Sequence, residues 1–362
     1  MVVSTTYLQD EPMNTLPPLP LIDGCFFVSD SFLERLSTCP RSAEYYKLHA
    51  RVASSANAAL NTGKLVHKCL EMHYRLQEFN LDQQEISNRV GRLLEREFAA
   101  TPNPDDDHRN LSWIAELYQR YVQRHEFETI KLMQYKEPMP CKYCSIIEQD
   151  EQKKDCDWCC NTRKLSLMVE VPFATHLYDY GSIPVFFHGY IDLPCNIGNQ
   201  LALLDFKTTS MLGQGFFDDK KMSAQQKGYC FGFRETTGMA PLGYIVRAIR
   251  TLQPPLWVLN GGESKRGERK NARTWWEESF QEERYILGEG ELDEWKQNVI
   301  ALCDEFFWHY ERSYFPRKTV WCVGKYGRCQ YFDVCSIFPV ADRQIILSSG
   351  LYTDKEQRDP LQ

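Results

Sequence analysis

Nowhere in this sequence do apolar residues run on for the roughly 18 positions that a membrane-spanning helix needs, so a membrane span is not expected. A basic segment followed by an apolar core is also missing at the start. Met1 to Pro20 carries acids and prolines instead, and no secretory leader is expected. Positive charge is in short supply, with a net charge of -7. That argues mildly against a nucleic-acid binder, although an enzyme that holds cations at acidic residues can be acidic overall and keep a local basic groove. Internal repeats and low-complexity blocks are lacking as well. Apolar material is not: 43% of the 362 residues are hydrophobic and 13% aromatic, enough for one large domain with insertions or two small ones. Cysteine is plentiful too. Fourteen of them without an export signal are expected as reduced thiols in the cytoplasm, an intracellular reducing compartment. Their close-spaced sets suggest metal ligation rather than disulfides.

Residues 1–24 read as an N-terminal tail, 25–345 as one domain interrupted by a Cys- and charge-rich insert at 138–164, and 346–362 as a polar C-terminal tail. Helices are expected from Ser29 or Ser31 onward, over 60–78, 84–99 and 111–124, near 222–235, and over 291–312. Strands are expected where Leu167, Val169, Val171 and Phe173 alternate with Ser166, Met168 and Glu170. The apolar runs Val185 to Leu193 and Leu201 to Phe206 flank Asn196-Ile197-Gly198-Asn199 and read as a hairpin. Leu242 to Ala248 and Leu256 to Leu259 read as further strands. Helices, then strands, then a helix, a strand and a final helix suggest an α/β fold with a mixed central sheet covered by helices.

Chemistry concentrates on that hairpin. In a strand, residues two apart share a face, so Asp205 and Lys207 lie side by side, and Asp192 on the partner strand can converge with them. They end apolar runs, where ionised groups need a partner or a metal. Two carboxylates suit Mg²⁺ or Mn²⁺, and a lysine can orient a water or stabilise a phosphate in a transition state. Gly189-x-x-Asp192 with Asp205-x-Lys207 resembles motifs II and III of the PD-(D/E)XK nuclease superfamily. Gln225-x-x-x-Tyr229 on the following helix and Gly63-x-x-x-His67 on an early helix resemble its RecB-like branch. The resemblance runs over about 29–337. It implies a restriction-endonuclease-like core with a mixed central sheet flanked by helices. It also implies a Mg²⁺- or Mn²⁺-dependent deoxyribonuclease, expected as an exonuclease. Under it His67, Asp192, Asp205 and the Phe206 carbonyl are metal ligands, Lys207 is the catalytic lysine, and Gln225 and Tyr229 position the lysine or the DNA. Glu170 is a candidate metal-proximal acid or, alternatively, faces solvent.

Two cysteine sets stand apart. Cys141-x-x-Cys144 and Cys156-x-x-Cys159, eleven residues apart, read as a structural zinc knuckle; Cys160 is a spare neighbour that could replace Cys159. Cys39, Cys322, Cys329 and Cys335 are similar to the set that holds a 4Fe-4S cluster in the AddB and CRISPR-associated adaptation nucleases of the RecB-like branch. The six residues between Cys322 and Cys329 depart from the usual two. The alternative is two core cysteines plus a small zinc site. Cys25, Cys69, Cys195, Cys230 and Cys303 read as packing residues. DNA, single-stranded or with free ends, is the expected partner, with a helicase or recombination protein as a further one. Lys220 and Lys221 are candidate phosphate contacts. The basic run Lys265 to Arg273, followed by Trp275 and Trp276, is either a DNA contact or a solvated loop with docked tryptophans. A non-catalytic DNA-binding module acting through a partner is the alternative function.

Overall fold

The computed structural model describes residues 16–54, 58–104, 107–126, 128, 130–141, 143–144, 156–261, 264, 270–324, 327–337 and 342–355. They divide into two compact units, each interleaved in sequence with the other: Met1–Ser55, Ala174–Gly189 and Asp293–Gln362 make one, and Ala56–Phe173 with Tyr190–Leu292 makes the other. Among the described residues no helix is long and apolar enough to cross a membrane.

The second unit is built on a five-stranded sheet, in the order Phe280–Ile286, Gly243–Arg250, Gln200–Thr209, Leu193–Ile197 and Ile130–Leu132. Gln200–Thr209 pairs parallel with Gly243–Arg250, with the helices Gln214–Met222 and Ala224–Thr237 in the connection, and every other pairing in the sheet is antiparallel. The sheet is therefore mixed, as the element order implied. The hairpin turn falls at Ile197–Gln200, where Gly198 takes φ +64, a left-handed value natural to glycine.

Three helices, Ala58–Leu76, Gln83–Ala100 and Leu111–His125, supply much of the core with Leu65, Val66, Leu70, Val90, Leu94, Ile114 and Leu117. Their expected spans hold to within two residues. Asp82 and Asn110 begin the second and third by accepting from Glu85 N at 2.7 Å and Trp113 N at 2.9 Å, satisfying amides that have no partner within the helix. Leu204 and Phe206 of the central strand join this core, so Asp205 points to the opposite face. Gly63 lets the first helix lie close to that strand: a Cβ there would meet Thr208 Oγ1 at 2.9 Å.

The first unit holds a four-stranded sheet ordered Leu21–Ile22, Cys25–Val28, Ile183–Ile191, Val171–Tyr180. Phe26, Phe32, Phe306, Phe307 and Phe315 pack into a fully buried aromatic cluster, with Phe26 stacked on Phe306 at 5.4 Å. Leu21–Ile22 and Tyr352–Asp354, which the sequence placed in tails, are strands. The first pairs with Cys25–Phe26 and the second with Arg51–Ala53.

Three further expectations need correction. Leu256–Leu259 is a short helix rather than a strand: four apolar residues do not fix the period, and Pro255, with its extended backbone, caps a helical turn. The run Val185 to Leu193 is two strands in different sheets, broken at Asp192. The alternation from Leu167 to Phe173 is also broken, between Lys164–Leu167 and Val171–Tyr180, where Glu170 takes φ +48.

Candidate active site

The two strand breaks bring Asp192 and Glu170 together. Glu170 N donates to the Asp192 carbonyl at 2.9 Å, and Asp192 Oδ2 accepts from Phe206 N at 2.7 Å, which ties both breaks to the central strand. His67, from the first helix of the second unit, places Nδ1 3.6 Å from the same Oδ2, near but beyond hydrogen-bond length. The ligand atoms of His67, Glu170 and Asp192 all lie within 4.8 Å of one another, a grouping that could hold a metal ion.

Asp205 occupies a neighbouring position. It is 4% exposed, and both oxygens are engaged: Lys207 Nζ donates to Oδ1 at 2.9 Å and Gln226 Nε2 to Oδ2 at 3.0 Å. Asp205 and Lys207 thus sit side by side, as the period of two requires. Of the expected metal ligands, His67 and Asp192 converge with Glu170, while Asp205 bonds to the lysine and to a glutamine.

The electrostatics follow from dry, like-charged neighbours. Burial first, then the Asp205 carboxylate, pushes the Asp192 carboxyl up to about 7, against the opposing pull of Lys207 and the Phe206 amide. Burial and the Lys207 ammonium lower the imidazole of His67, which favours its neutral, ligating form.

Gln225 donates from Nε2 to Tyr229 Oη at 2.9 Å along the helix Ala224–Thr237, and the Tyr229 ring meets Phe173 edge-on at 5.9 Å. The next residue, Gln226, is 1% exposed and reaches Asp205; the sequence reading missed it. Its signal was the buried stripe Cys230 and Phe233, which continues one turn back onto Gln226. Gln226 Oε1 is buried without a hydrogen-bond partner.

Lys220 and Lys221 lie in the last turn of Gln214–Met222. Lys220 pairs with Asp219 at 2.9 Å, and Lys221 is exposed. Lys265 to Arg269 fall outside the described residues. Beyond them Lys270 pairs with Glu278, Trp276 packs on Trp113 at 5.2 Å, and Trp275 lies under Arg250 at 4.6 Å. Both tryptophans are thus engaged within the unit.

The four thiols of Cys141, Cys144, Cys156 and Cys159 lie within 4.8 Å of one another, with Cys141 Sγ 3.9 Å from Cys156 Sγ and Cys144 Sγ 3.5 Å from Cys159 Sγ. Cys159 belongs to the group, while Cys160 turns away at φ +46 and accepts from Arg89 at 3.3 Å. Burial, and then the neighbouring thiols, push the Cys144 thiol up to about 12, which a bound cation would reverse. The segment between the two pairs, 145–155, is outside the described residues.

Cys39, Cys322, Cys329 and Cys335 ring a single cavity in the first unit, with Thr38, Arg317, Trp321 and Phe332 among its walls. Cys329 N donates to the Cys322 carbonyl at 2.9 Å, and Lys318 N approaches Cys39 Sγ at 3.5 Å. Unlike the first set, these thiols are not among the groups that close to within 4.8 Å. Cys69 and Cys195 are buried in the apolar core, Cys230 and Cys303 are buried as well, and Cys25 is half-buried.

No curated protein matches the sequence. A crystal structure from Eubacterium rectale, titled "Putative exonuclease", is similar at 11% identity and a TM-score of 0.46, covering 90% of this chain and 93% of that one. Residues 28–336 match the sequence profile of the PD-(D/E)XK nuclease superfamily, a span that contains every acid, lysine, histidine and cysteine centre described above. By that match over most of its length, the chain belongs to the PD-(D/E)XK nuclease superfamily.

Proposed function

We propose that the protein is a metal-dependent DNA exonuclease of the RecB-like kind that hydrolyses phosphodiester bonds. The observation that carries this reading is the convergence of His67, Glu170 and Asp192 beside the Asp205–Lys207 pair. Two carboxylates and one imidazole offer the hard donors that Mg²⁺ or Mn²⁺ takes. Burial, and then the neighbouring Asp205 carboxylate, raise the Asp192 carboxyl, and a cation bound there would offset both. When bound, the ion polarises a phosphate oxygen and acidifies a water.

The chain's own groups supply the rest. Asp205 aims the Lys207 ammonium, whose side chain is 21% exposed, so that it can donate to a phosphate oxygen or orient the attacking water. Gln226 fixes the far oxygen of Asp205. Asp205 accepts one hydrogen bond on each oxygen, which leaves lone pairs with which it could join the ion, as could the Phe206 carbonyl. In this reading Gln225 and Tyr229 position DNA or the lysine from the adjacent helix, and Lys220 and Lys221 are candidate phosphate contacts.

The two cysteine centres differ in size. Tetrahedral ligation with Zn–S bonds of about 2.3 Å sets thiolates about 3.8 Å apart. The 3.9 and 3.5 Å contacts in the Cys141 set match that spacing, and Zn²⁺ is assigned there. The Cys39 set spreads around a cavity and suits a larger group, a 4Fe-4S cluster.

The test is Lys207→Ala on end-labelled single- and double-stranded DNA with Mg²⁺ or Mn²⁺. Cutting is expected to fall by about 100-fold or more, and covalently closed circles are expected to resist the wild type. Cutting at the wild-type rate would overturn the assignment. A wild type that binds DNA in Mn²⁺ without cutting it would support the non-catalytic module, working through a helicase or recombination partner.

A further inference from the structure

We propose that the four-cysteine module positions Glu170 in the active site, so that an intact module sets the affinity of the nuclease centre for its own divalent ion. This rests on the reading of His67, Glu170 and Asp192 as that centre. Tyr143 lies between Cys141 and Cys144, and Trp158 between Cys156 and Cys159. Their rings stack at 4.0 Å and 11°, so each cysteine pair contributes one half of the stack. Folding of the four cysteines around an ion therefore fixes where the Tyr143 hydroxyl points.

That hydroxyl leaves the module. It donates to Glu71 Oε1 at 2.6 Å, and Glu71 is 9% exposed, one turn after His67 on the same helix. Arg75, a further turn on and 4% exposed, donates to the same Oε1 from Nε at 3.1 Å and from Nη2 at 3.0 Å. Nη2 also donates to the Val169 carbonyl at 2.6 Å. Val169 immediately precedes Glu170, whose φ of +48 lies in the left-handed region that non-glycine residues keep only when their surroundings impose it. Two bonds impose it here: Arg75 holds the carbonyl on one side, and Glu170 N on the other donates to the Asp192 carbonyl.

The path from thiol to metal-site carboxylate is thus Tyr143, Glu71, Arg75, Val169, Glu170, with a hydrogen bond or a peptide bond at every step. Tyr143, Glu71 and Arg75 are positioning residues, and none belongs to the group of convergent ligands. Burial and the Glu71 carboxylate keep the Tyr143 phenol protonated well above its ordinary range, so the hydroxyl remains a donor throughout any assay pH.

Tyr143→Phe keeps the ring and its stack and removes the hydroxyl that makes this bond. The full chain, without DNA, is titrated with Mn²⁺ and free ion followed by electron paramagnetic resonance, while zinc content and melting temperature are measured on the same samples. The expected result is about tenfold weaker Mn²⁺ binding, the lower end of what loss of an outer partner costs a metal site, with zinc retained and melting lowered by no more than a few degrees. In cutting assays the Mn²⁺ midpoint shifts by the same factor and the maximal rate returns at high Mn²⁺. Wild-type Mn²⁺ affinity with zinc retained overturns the proposal, and loss of zinc together with Mn²⁺ reduces Tyr143 to a part of the module's own fold, which also overturns it. Asp192→Asn separates the two readings. If Mn²⁺ binding survives that change, the active-site reading fails and the proposal with it; if binding is lost there but intact in Tyr143→Phe, the proposal fails alone.

Discussion

Asp205 carries the tightest constraint on any single side chain at the site. A carboxylate at 4% exposure with one oxygen on an ammonium and the other on an amide has no slack. A hydrogen bond to a charged group is worth about 1.5–3 kcal/mol, so the amide of Gln226 decides whether Asp205 stays aimed at Lys207. Gln226→Leu keeps the volume and removes that bond. The rate constant for cutting is expected to fall about tenfold, the equivalent of about 1.4 kcal/mol, with little change in the DNA concentration at half-maximal rate. Steady-state kinetics check this; an unchanged rate constant would show that Lys207 alone holds Asp205. The acids and the lysine were readable because a strand has a period of two. Gln226 was not, because Gln225 and Tyr229 make a helical pair that satisfied the motif without it. Glu170 was half readable: its residue type and its place before the hairpin were visible, but the left-handed backbone that turns it inward depends on Arg75, which lies far away in sequence.

The same division holds for whole elements. Long amphipathic helices such as Gln83–Ala100 and Leu111–His125 announced themselves, since two or three turns of stripe outweigh any local alternative. Short apolar runs did not: Leu256–Leu259 and the broken run through Asp192 are decided by tertiary partners. The helix Pro40–Lys47 shows how an element can carry a cost at its end. Lys47 is the last residue, and its ammonium donates to the Phe27 carbonyl at 2.5 Å and lies over the Phe26 ring at 4.7 Å. Burial, reinforced by Lys355, pulls its pKa down to about 7. A lysine whose folded pKa lies below its unfolded one favours the fold at high pH, and that contribution is lost as pH falls from about 10.5 to about 7. Lys47→Met removes the titration. Its melting temperature relative to wild type is expected to be highest near pH 7 and to decline steadily toward pH 10, as calorimetry across that range would show. A difference that stays flat with pH would mean that Lys47 remains charged in the fold.

At the scale of the molecule, the first unit is assembled from three stretches of chain that are distant in sequence. Its cavity draws Cys39 from the first stretch and Cys322, Cys329 and Cys335 from the last. A cluster ligated by all four would cross-link them, and closing so long a loop contributes roughly 5 kcal/mol in the chain-entropy picture. A domain's whole stability is about 5–15 kcal/mol, so this unit should depend on its cluster. The acids, His67 and the Cys141 set all belong to the other unit, with its own sheet and core. Cys39→Ala therefore separates the two. Anaerobically purified wild type is expected to be brown, with about four irons and one zinc per chain. The variant is expected to lose the iron and the visible absorption, keep the zinc, and show a new early transition in its thermal unfolding. Mn²⁺ binding below that transition should persist, because its ligands stand in the second unit. If the wild type carries two zincs and no iron, the cavity holds a mononuclear site and the cluster assignment falls. If the variant loses Mn²⁺ binding while still folded, the independence of the two centres falls instead.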